Sequence, residues 1–442
     1  MTCFLPPYLL RELARRRPER AAELERMLAV DEEIRLLRQG PPRRAAIVAG
    51  PAWTVHDAEG GTELPGRPAR SAGEPETGDP AVDEAAYGVA GALAMCEEVY
   101  GRSSYDGAGA PVVATVHYGR DYVNAFWDGA QLVFGDGDGE VFARFTRPVD
   151  VVGHELAHAV TEHTAALAYQ GQSGALNESV SDVFAACLEQ RLRGQSAVEA
   201  DWLIGSDLFL PGVAARGLRD MAAPGTAYDD PALGRDPQPA HLDDYVDTTE
   251  DNGGVHINSG IPNRAFHLAA TAIGGSSAER AGRIWYAALT GGEVGARTDF
   301  AGFAAATVVA AGEHADVVRD AWATVGVTPA APSASSSGPG LPPPVPVAGR
   351  RVLVSRSGGF LGRTVAGEVD LERGGLRADE VAALVDRVDL ASVTGGAPKP
   401  DMYVYDFDLC GDRARVPEQH LTPDLRRIAD LVLEGDPADP TR

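Results

Sequence analysis

The stretch from Val149 to Val160 is apolar with helical spacing, and it carries His154, Glu155 and His158. Histidines four residues apart project from one helix face, one turn separated, so both imidazoles can bind the same Zn²⁺. A glutamate beside the first histidine stands where a carboxylate can take a proton from a metal-bound water without being a ligand itself. The five-residue pattern fixes only three positions, so residues further along the chain have to supply the rest of a site.

Gly174 to Ala186 reads as a second helix, with Leu176, Val180, Val183, Phe184 and Cys187 as its apolar positions. Glu178 and Asp182 are four apart, so both carboxylates face the same way, which is unfavourable unless a cation shares the charge. One further ligand from this helix completes three and leaves the fourth position open for water, as a catalytic zinc site requires. Asp182 fits the role of holding a ligand imidazole in its tautomer. A solvated acidic face is the plain alternative for such a pair, and the preceding His-Glu-x-x-His helix favours the metal. Lone histidines such as His117 and His163 read instead as surface or hydrogen-bonded structural residues.

Through these two helices the chain resembles the thermolysin family of zinc metallopeptidases, in its shorter protealysin-like branch. The likeness covers roughly residues 52–329 and rests on four ordered blocks. The first is Asn124 to Gly129 with Phe134 to Gly139, the next two are the helices, and the last is Asp251 to Ile261. The resemblance implies an α+β, two-lobed fold with a β-rich amino-terminal lobe and a helical carboxy-terminal lobe. It implies His154, His158 and Glu178 as zinc ligands and Glu155 as general base and proton shuttle. It implies that His256 and Tyr169 stabilise an oxyanion, with Asp251 orienting His256. Arg219 would bind a substrate carbonyl, and Asn124 with the Ala125 backbone would hold a peptide as an added strand. Read without the resemblance, Asp251 to Ile261 is a glycine-rich turn entering a helix, and Phe126 and Trp127 are core aromatics.

Phe142, Phe145, Val151, Ile204, Leu208 and Leu218 match the family's main specificity pocket. All are apolar, which points to cleavage on the amino side of bulky hydrophobic residues. Larger relatives carry a double calcium site. Asp150, Glu189 and Asp201 stand at matching positions here, while Leu203 and Ser206 replace two other ligands. So few hard oxygen donors lead us to expect at most one weakly bound Ca²⁺.

The 442 residues suit two or three domains, and a net charge of −25 argues against nucleic acid or anionic membranes as partners. Cys3, Cys96, Cys187 and Cys410 are scattered and form no disulfide framework. The start lacks a basic leader, prolines interrupt its apolar patch, and no run reaches the length of a membrane span. The expectation is cytoplasmic synthesis, with any export by a non-Sec route, and a monomer.

Residues 1–44 are arginine-rich and helical in pattern, with an amphipathic stretch from Glu19 to Gln39, and resemble a protealysin-type propeptide with its Pro-Pro-Tyr motif. A basic segment on an acidic enzyme has the enzyme as its evident partner, and cleavage is expected between Gly40 and Trp53. Next comes a mainly β half over residues 52–160, then a mainly helical half to 329. Residues 330–350 form a Pro/Ser-rich linker that cannot pack a core. Residues 351–442 are globular again and resemble emfourin, a small inhibitor of protealysin-like enzymes, through Gly358-Gly359-Phe360 and Pro400 to Tyr405. A generic α+β accessory module is the plain alternative. The reading is a zinc endopeptidase zymogen carrying a tethered inhibitor. An aminopeptidase, or an inactive fold serving as a binding module, is the alternative.

Overall fold

The computed structural model describes residues 4–22, 24–29, 50–330, 351–358, 365–371, 376–385, 387–388, 403–409 and 412–433. They fall into two units, one ending at Ala334 and one from Ser335 onward. The expected cleavage stretch from Gly40, the second half of the Glu19–Gln39 helix, the linker, and the Phe360 and Pro400–Met402 motifs lie largely or wholly outside the described residues.

The first unit begins with a short β1–β5 sheet, ordered β2-β1-β3-β5-β4: β1 Trp53–Asp57, β2 Arg67–Ser71, β3 Val112–Val116, β4 Ala125–Trp127, β5 Leu132–Phe134. Strands β1, β3 and β5 run parallel to one another, while β2 and β4 pair antiparallel at the two edges. Strand β4 is apolar, buried in its side chains, and lies at an edge of the sheet.

This half is less purely β than its sequence suggests. A helix of 21 residues, Pro80–Tyr100, packs against the sheet. Its start is encoded locally. The Asp79 side chain accepts from the N–H groups of Ala81 and Val82, Pro80 takes the first helical position, and Gly101 closes the helix in the left-handed region. Small apolar residues along it hid the pattern, because alanine and glycine give weak periodicity.

The helical lobe is built around Val149–Glu162 and Gly171–Arg193, which pack along each other. Gly153 lets them approach: a Cβ there would stand 2.9 Å from Leu188 Cδ2. Helices Asp251–Asn258, Gly260–Ile273, Ala281–Thr290, Phe300–Ala310 and Ala315–Thr324 complete the lobe.

Ahead of the sheet, helix Pro7–Arg16 and a turn at Pro18–Arg20 bury Phe4, Leu5, Leu9, Leu10 and Leu13 within the same core. Leu24 and Met27, from the front of the expected amphipathic helix, are buried there too.

The second unit is an antiparallel four-stranded sheet with the strand from Arg351–Gly358 between Val365–Asp370 and Tyr403–Leu409, and Asp412–Pro417 at the far edge. Helices Leu376–Val385 and Pro423–Leu433 accompany it. Val352, Val354, Tyr405, Phe407, Leu425 and Ile428 form its own apolar core. The alternation along Tyr403–Leu409 places Tyr405, Phe407 and Leu409 on one buried face.

Candidate active site

The histidine helix and the glutamate helix bring three ligands to one point. His154 and His158 face each other with their Nε2 atoms 2.9 Å apart. Glu178 approaches with one carboxylate oxygen 3.4 Å from His154 Nε2 and the other 3.6 Å from His158 Nε2. All three side chains are buried. Among the described residues this is the only group of three or more such side chains whose ligand atoms converge.

The tautomers are set by the neighbours. Asn177 Nδ2 donates to Leu167 O, so its Oδ1 is free to accept from His158 Nδ1 at 2.9 Å. Asp182 Oδ1 accepts from His154 Nδ1, also at 2.9 Å. With both Nδ1 atoms donating, two lone pairs meet at the Nε2 positions, an arrangement that a metal ion between them would satisfy. Glu178 Oε2 adds a buried oxygen with no hydrogen-bond partner. The electrostatics asks for the same thing. Burial alone would push Glu178 and Asp182 up, yet His256, His158 and His154 hold Glu178 well below the usual range, and Arg219 with His154 holds Asp182 at about 2. Two nitrogens and a carboxylate oxygen are a donor set suited to zinc.

Glu155 points into the same space from the histidine helix. Both of its oxygens are buried without a hydrogen-bond partner, with the Trp127 backbone beside them. Burial pushes its carboxyl up to about 8, opposed by His154. A carboxylate so poised gains from an acidic water to accept from.

Across the trio stand Tyr169 and His256. The Tyr169 hydroxyl donates to Glu178 and lies 3.1 Å from His256 Nε2. Asp251 grips His256 twice, its Oδ2 accepting the backbone N–H at 2.9 Å and its Oδ1 meeting ring Nδ1 at 2.7 Å. That return contact needs a tight turn: Asp251, Asn252, Gly253 and Gly254 all take positive φ. At Gly254 a Cβ would stand 2.8 Å from Asn258 Nδ2. The glycine pair is therefore what turns Asp251 back onto the ring. Burial alone would pull His256 down, but Asp251 and Glu178 raise it, which favours the charged ring.

Arg219 is fully buried and doubly bonded to Asp182, Nε to Oδ2 at 2.8 Å and Nη2 to Oδ1 at 2.7 Å. Asp182 also accepts from Asn263 Nδ2 at 2.8 Å. One carboxylate thus joins a ligand histidine to the arginine. Sequence reasoning missed Asn177 and Asn263. Asn177 stood next to Glu178 as its only signal, and Asn263 had none, since only the tertiary fold brings it to Asp182.

The apolar residues expected to form a specificity pocket lie around Phe4. Phe4 lies edge-on to the His154 ring, centroids 5.2 Å apart, and to Phe145 at 6.5 Å, with the Arg219 guanidinium 4.8 Å above it. Its far edge comes within 3.4 Å of where a Cβ on Gly205 would stand, alongside Leu218. Phe142 packs on Phe145 at a centroid distance of 6.0 Å, and Val151, Ile204 and Leu208 are buried in the same core. The main chain is held as well. Phe4 N donates to Ala125 O at 3.0 Å, Leu5 N to Asn124 Oδ1 at 2.8 Å, and Arg219 Nη1 to Phe4 O at 3.3 Å.

The expected calcium ligands lie near enough to repel one another, but among the described residues their oxygens do not converge on one point as the ligand atoms of His154, His158 and Glu178 do. Asp150 Oδ2 accepts from Gly205 N at 2.6 Å, and Asp201 Oδ1 from Leu203 N at 3.1 Å. Glu189 pairs with Arg193 at 2.9 Å, and Arg193 also reaches Asp207 at 3.4 Å. Burial and mutual repulsion raise the carboxyls of Asp150 and Glu189. Here a guanidinium and a backbone amide take up charge that clustered carboxylates would offer to calcium. His117 is likewise structural, bridging Asp136 and Asp79, and His163 Nδ1 lies 2.9 Å from Ala159 O.

Profiles of the thermolysin metallopeptidase catalytic domain and of its alpha-helical domain match residues 68–162 and 165–327. The chain belongs to the thermolysin family of metallopeptidases. An extracellular metalloprotease of Pectobacterium carotovorum is 47% identical over 331 residues, which is 73% of this chain and 95% of that protein. A thermolysin of Bacillus caldolyticus is 46% identical over 200 residues, 44% of this chain and 34% of that protein. Among solved structures, the precursor of protealysin, a metalloproteinase from Serratia proteamaculans, superposes with a TM-score of 0.68 at 46% identity, covering 74% of this chain and all of that one. This thermolysin-family chain is a zinc-dependent metalloprotease with the family's two-lobed fold, and the His154, His158 and Glu178 trio suits the family's metal. No helix among the described residues is long and apolar enough to cross a membrane.

Proposed function

We propose that the chain is a latent zinc endopeptidase that cuts peptide bonds on the amino side of bulky hydrophobic residues. The observation that carries this reading is Phe4 in the apolar pocket, its main chain bonded to Asn124, Ala125 and Arg219. A site that takes an extended segment along strand β4 is built for the interior of a peptide, which favours an endopeptidase over an aminopeptidase. Among the described residues, Phe145, Leu218 and Gly205 meet the Phe4 ring, an apolar lining unlike the acidic closure that a free amine would need. An inactive binding module is disfavoured because Glu155, Tyr169 and His256 all converge on the ligand trio.

The zinc, when bound, polarises the scissile carbonyl and acidifies a water. Glu155 takes the proton of that water and delivers it to the departing nitrogen. Tyr169 and the His256 Nε2–H, oriented by Asp251, stabilise negative charge on the carbonyl oxygen. Arg219 holds the carbonyl of the residue in the pocket, and Asp182 keeps both Arg219 and His154 in place. Asn124 and Ala125 hold the peptide in register.

In this reading residues 1–44 are a propeptide and residues 52–329 the catalytic domain. The propeptide is fastened by charge as well as by apolar burial: Arg11 meets Glu250 at 3.3 Å, Arg17 meets Glu140 at 2.7 Å, and Arg20 meets Asp138. Asp138 is itself fixed by accepting the N–H groups of Glu140, Val141 and Phe142. Residues 351–442 would be an emfourin-like inhibitor on the 330–350 linker. A flexible tether of about twenty residues spans roughly 25 Å and gives millimolar effective concentration. The enzyme would act as a monomer, with at most one weakly held calcium. The extracellular names of its relatives fit an enzyme working outside the cell better than a cytoplasmic one, reached after synthesis by a non-Sec route.

The test is cleavage of an internally quenched, end-blocked peptide with Phe or Leu after the cut, compared with a free-amine substrate, once the propeptide is removed. Faster turnover of the free-amine substrate would favour the aminopeptidase.

A further inference from the structure

The Asp182 carboxylate is saturated. Its Oδ1 accepts from His154 Nδ1 at 2.9 Å and from Arg219 Nη2 at 2.7 Å, and its Oδ2 accepts from Arg219 Nε and Asn263 Nδ2, both at 2.8 Å. An ionised carboxylate offers about four such lone-pair sites. Three of the bonds join it to the ligand imidazole and to the guanidinium beside Phe4. The fourth comes from Asn263, a fully buried neutral side chain on a different helix. That amide is unfavourable to bury on its own account, because its Oδ1 has no hydrogen-bond partner. Turned over, it would set Oδ1 against Asp182 Oδ2, acceptor against acceptor, so Nδ2 faces the carboxylate. What the burial gains is one bond to a charged group, stronger than a bond between neutral ones.

The place of that bond decides what it does. Arg219 and Asp182 form a fork that would otherwise swing as one body about the Asp182 side-chain torsions, carrying Oδ1 off the His154 ring. Asn263 grips Oδ2 from outside the fork and stops the swing. Its own backbone is firmly seated. Asn263 N donates to Ser259 O at 3.0 Å, and Gln238 Nε2 donates to His256 O at 2.7 Å and to Ser259 Oγ at 3.0 Å. At Gly260 a Cβ would stand 2.7 Å from Pro239 O, so the helix start lies tight against that chain. Helix Gly260–Ile273 thus brings one fixed donor to the carboxylate behind His154. We propose that Asn263 is a positioning residue of the metal site: by holding Asp182 it keeps the His154 imidazole aimed at the zinc position. The inference rests on the role proposed above for Asp182. Asn263 acts through that carboxylate, so its loss should cost zinc affinity only while Asp182 is present.

The test is the zinc affinity of the full chain, read by competition with a chromophoric chelator. The proteins are wild type, Asn263→Leu, Asn263→Ala, Asp182→Ala and the double variant Asp182→Ala with Asn263→Leu, each checked for folding by circular dichroism. Asn263→Leu fills the space without an N–H and Asn263→Ala empties it, so the two share only the lost donor. Both should weaken zinc by about tenfold, and Asp182→Ala by about 10–100-fold. The double variant should bind within about twofold of Asp182→Ala alone, because the two changes break one chain of contacts. Wild-type affinity in both Asn263 variants, with Asp182→Ala weakened, overturns the role of Asn263 and leaves that of Asp182. Wild-type affinity in Asp182→Ala overturns the reading beneath it. A further loss of about tenfold in the double variant means that Asn263 acts on the fold at large, and overturns its action through the carboxylate.

Discussion

In the proposed mechanism Glu155 carries the proton transfers without holding the metal, so Glu155→Gln should separate the two functions. Activity on a blocked peptide should fall by about 10²–10⁴-fold, with zinc content by elemental analysis unchanged. A drop of less than tenfold would remove Glu155 from the role. Asp182 acts through others, bonding His154, Arg219 and Asn263 at once. Asp182→Ala should weaken zinc by about 10–100-fold, read by competition with a chelator, and raise KM through the freed Arg219. His117 supplies a pH signature away from the site. Its hydrogen bond to Asp136, against the opposing effect of burial, raises the imidazole to about 9. A raised folded value stabilises fully below the ordinary value of about 6.5 and is lost as pH climbs through about 9. The thermal midpoint of wild type over His117→Asn should therefore exceed the mutant's at pH 6 and converge with it above pH 9. A constant gap would contradict the bridging ion pair. At this scale the gathering of side chains was legible wherever helical spacing alone sets direction, as for His154, His158 and Glu178, with Asp182 on His154. It was illegible where a partner arrives from far along the chain, as with Asn263 on Asp182 or Phe4 on His154.

Elements explain what the residue patterns left out. The helix Pro80–Tyr100 was hidden by its small residues, although Asp79, Pro80 and Gly101 mark both of its ends. Helix Pro7–Arg16 lies in a stretch read as arginine-rich and helical in pattern, ahead of the part singled out as amphipathic, and Leu9, Leu10 and Leu13 make it an amphipathic latch. Truncating one such side chain, Leu10→Ala, removes burial worth about 2–5 kcal/mol. As a separate peptide, residues 1–44 should inhibit the mature enzyme, and Leu10→Ala should weaken that inhibition by at least about 30-fold. Equal inhibition by the two peptides would place the affinity elsewhere. Raising salt should weaken both, since the pairs at Glu250 and Glu140 are exposed.

For the whole molecule, the sequence laid out two folded bodies and a linker, and the described residues of the second body hold strands and helices near the expected positions. Its inhibitory role is a proposal that dilution can test. Chains with a cut propeptide should be less active than residues 45–330 alone, and a cis inhibitor gives a ratio that dilution does not change. Equal activity at every concentration would leave the tail with another task. The two-lobed fold was legible because four separated blocks share one order. What was not legible is that the amino-terminal residues fold back into the cleft, since no local pattern says which groove an apolar pair will fill.

The most direct measurement is the metal itself. Elemental analysis of the purified full chain should find one zinc per molecule, and His158→Ala, still folded by circular dichroism, should lose it. Wild type without a divalent transition metal, or a His158→Ala protein that retains full zinc, would contradict the claim that His154, His158 and Glu178 share one ion.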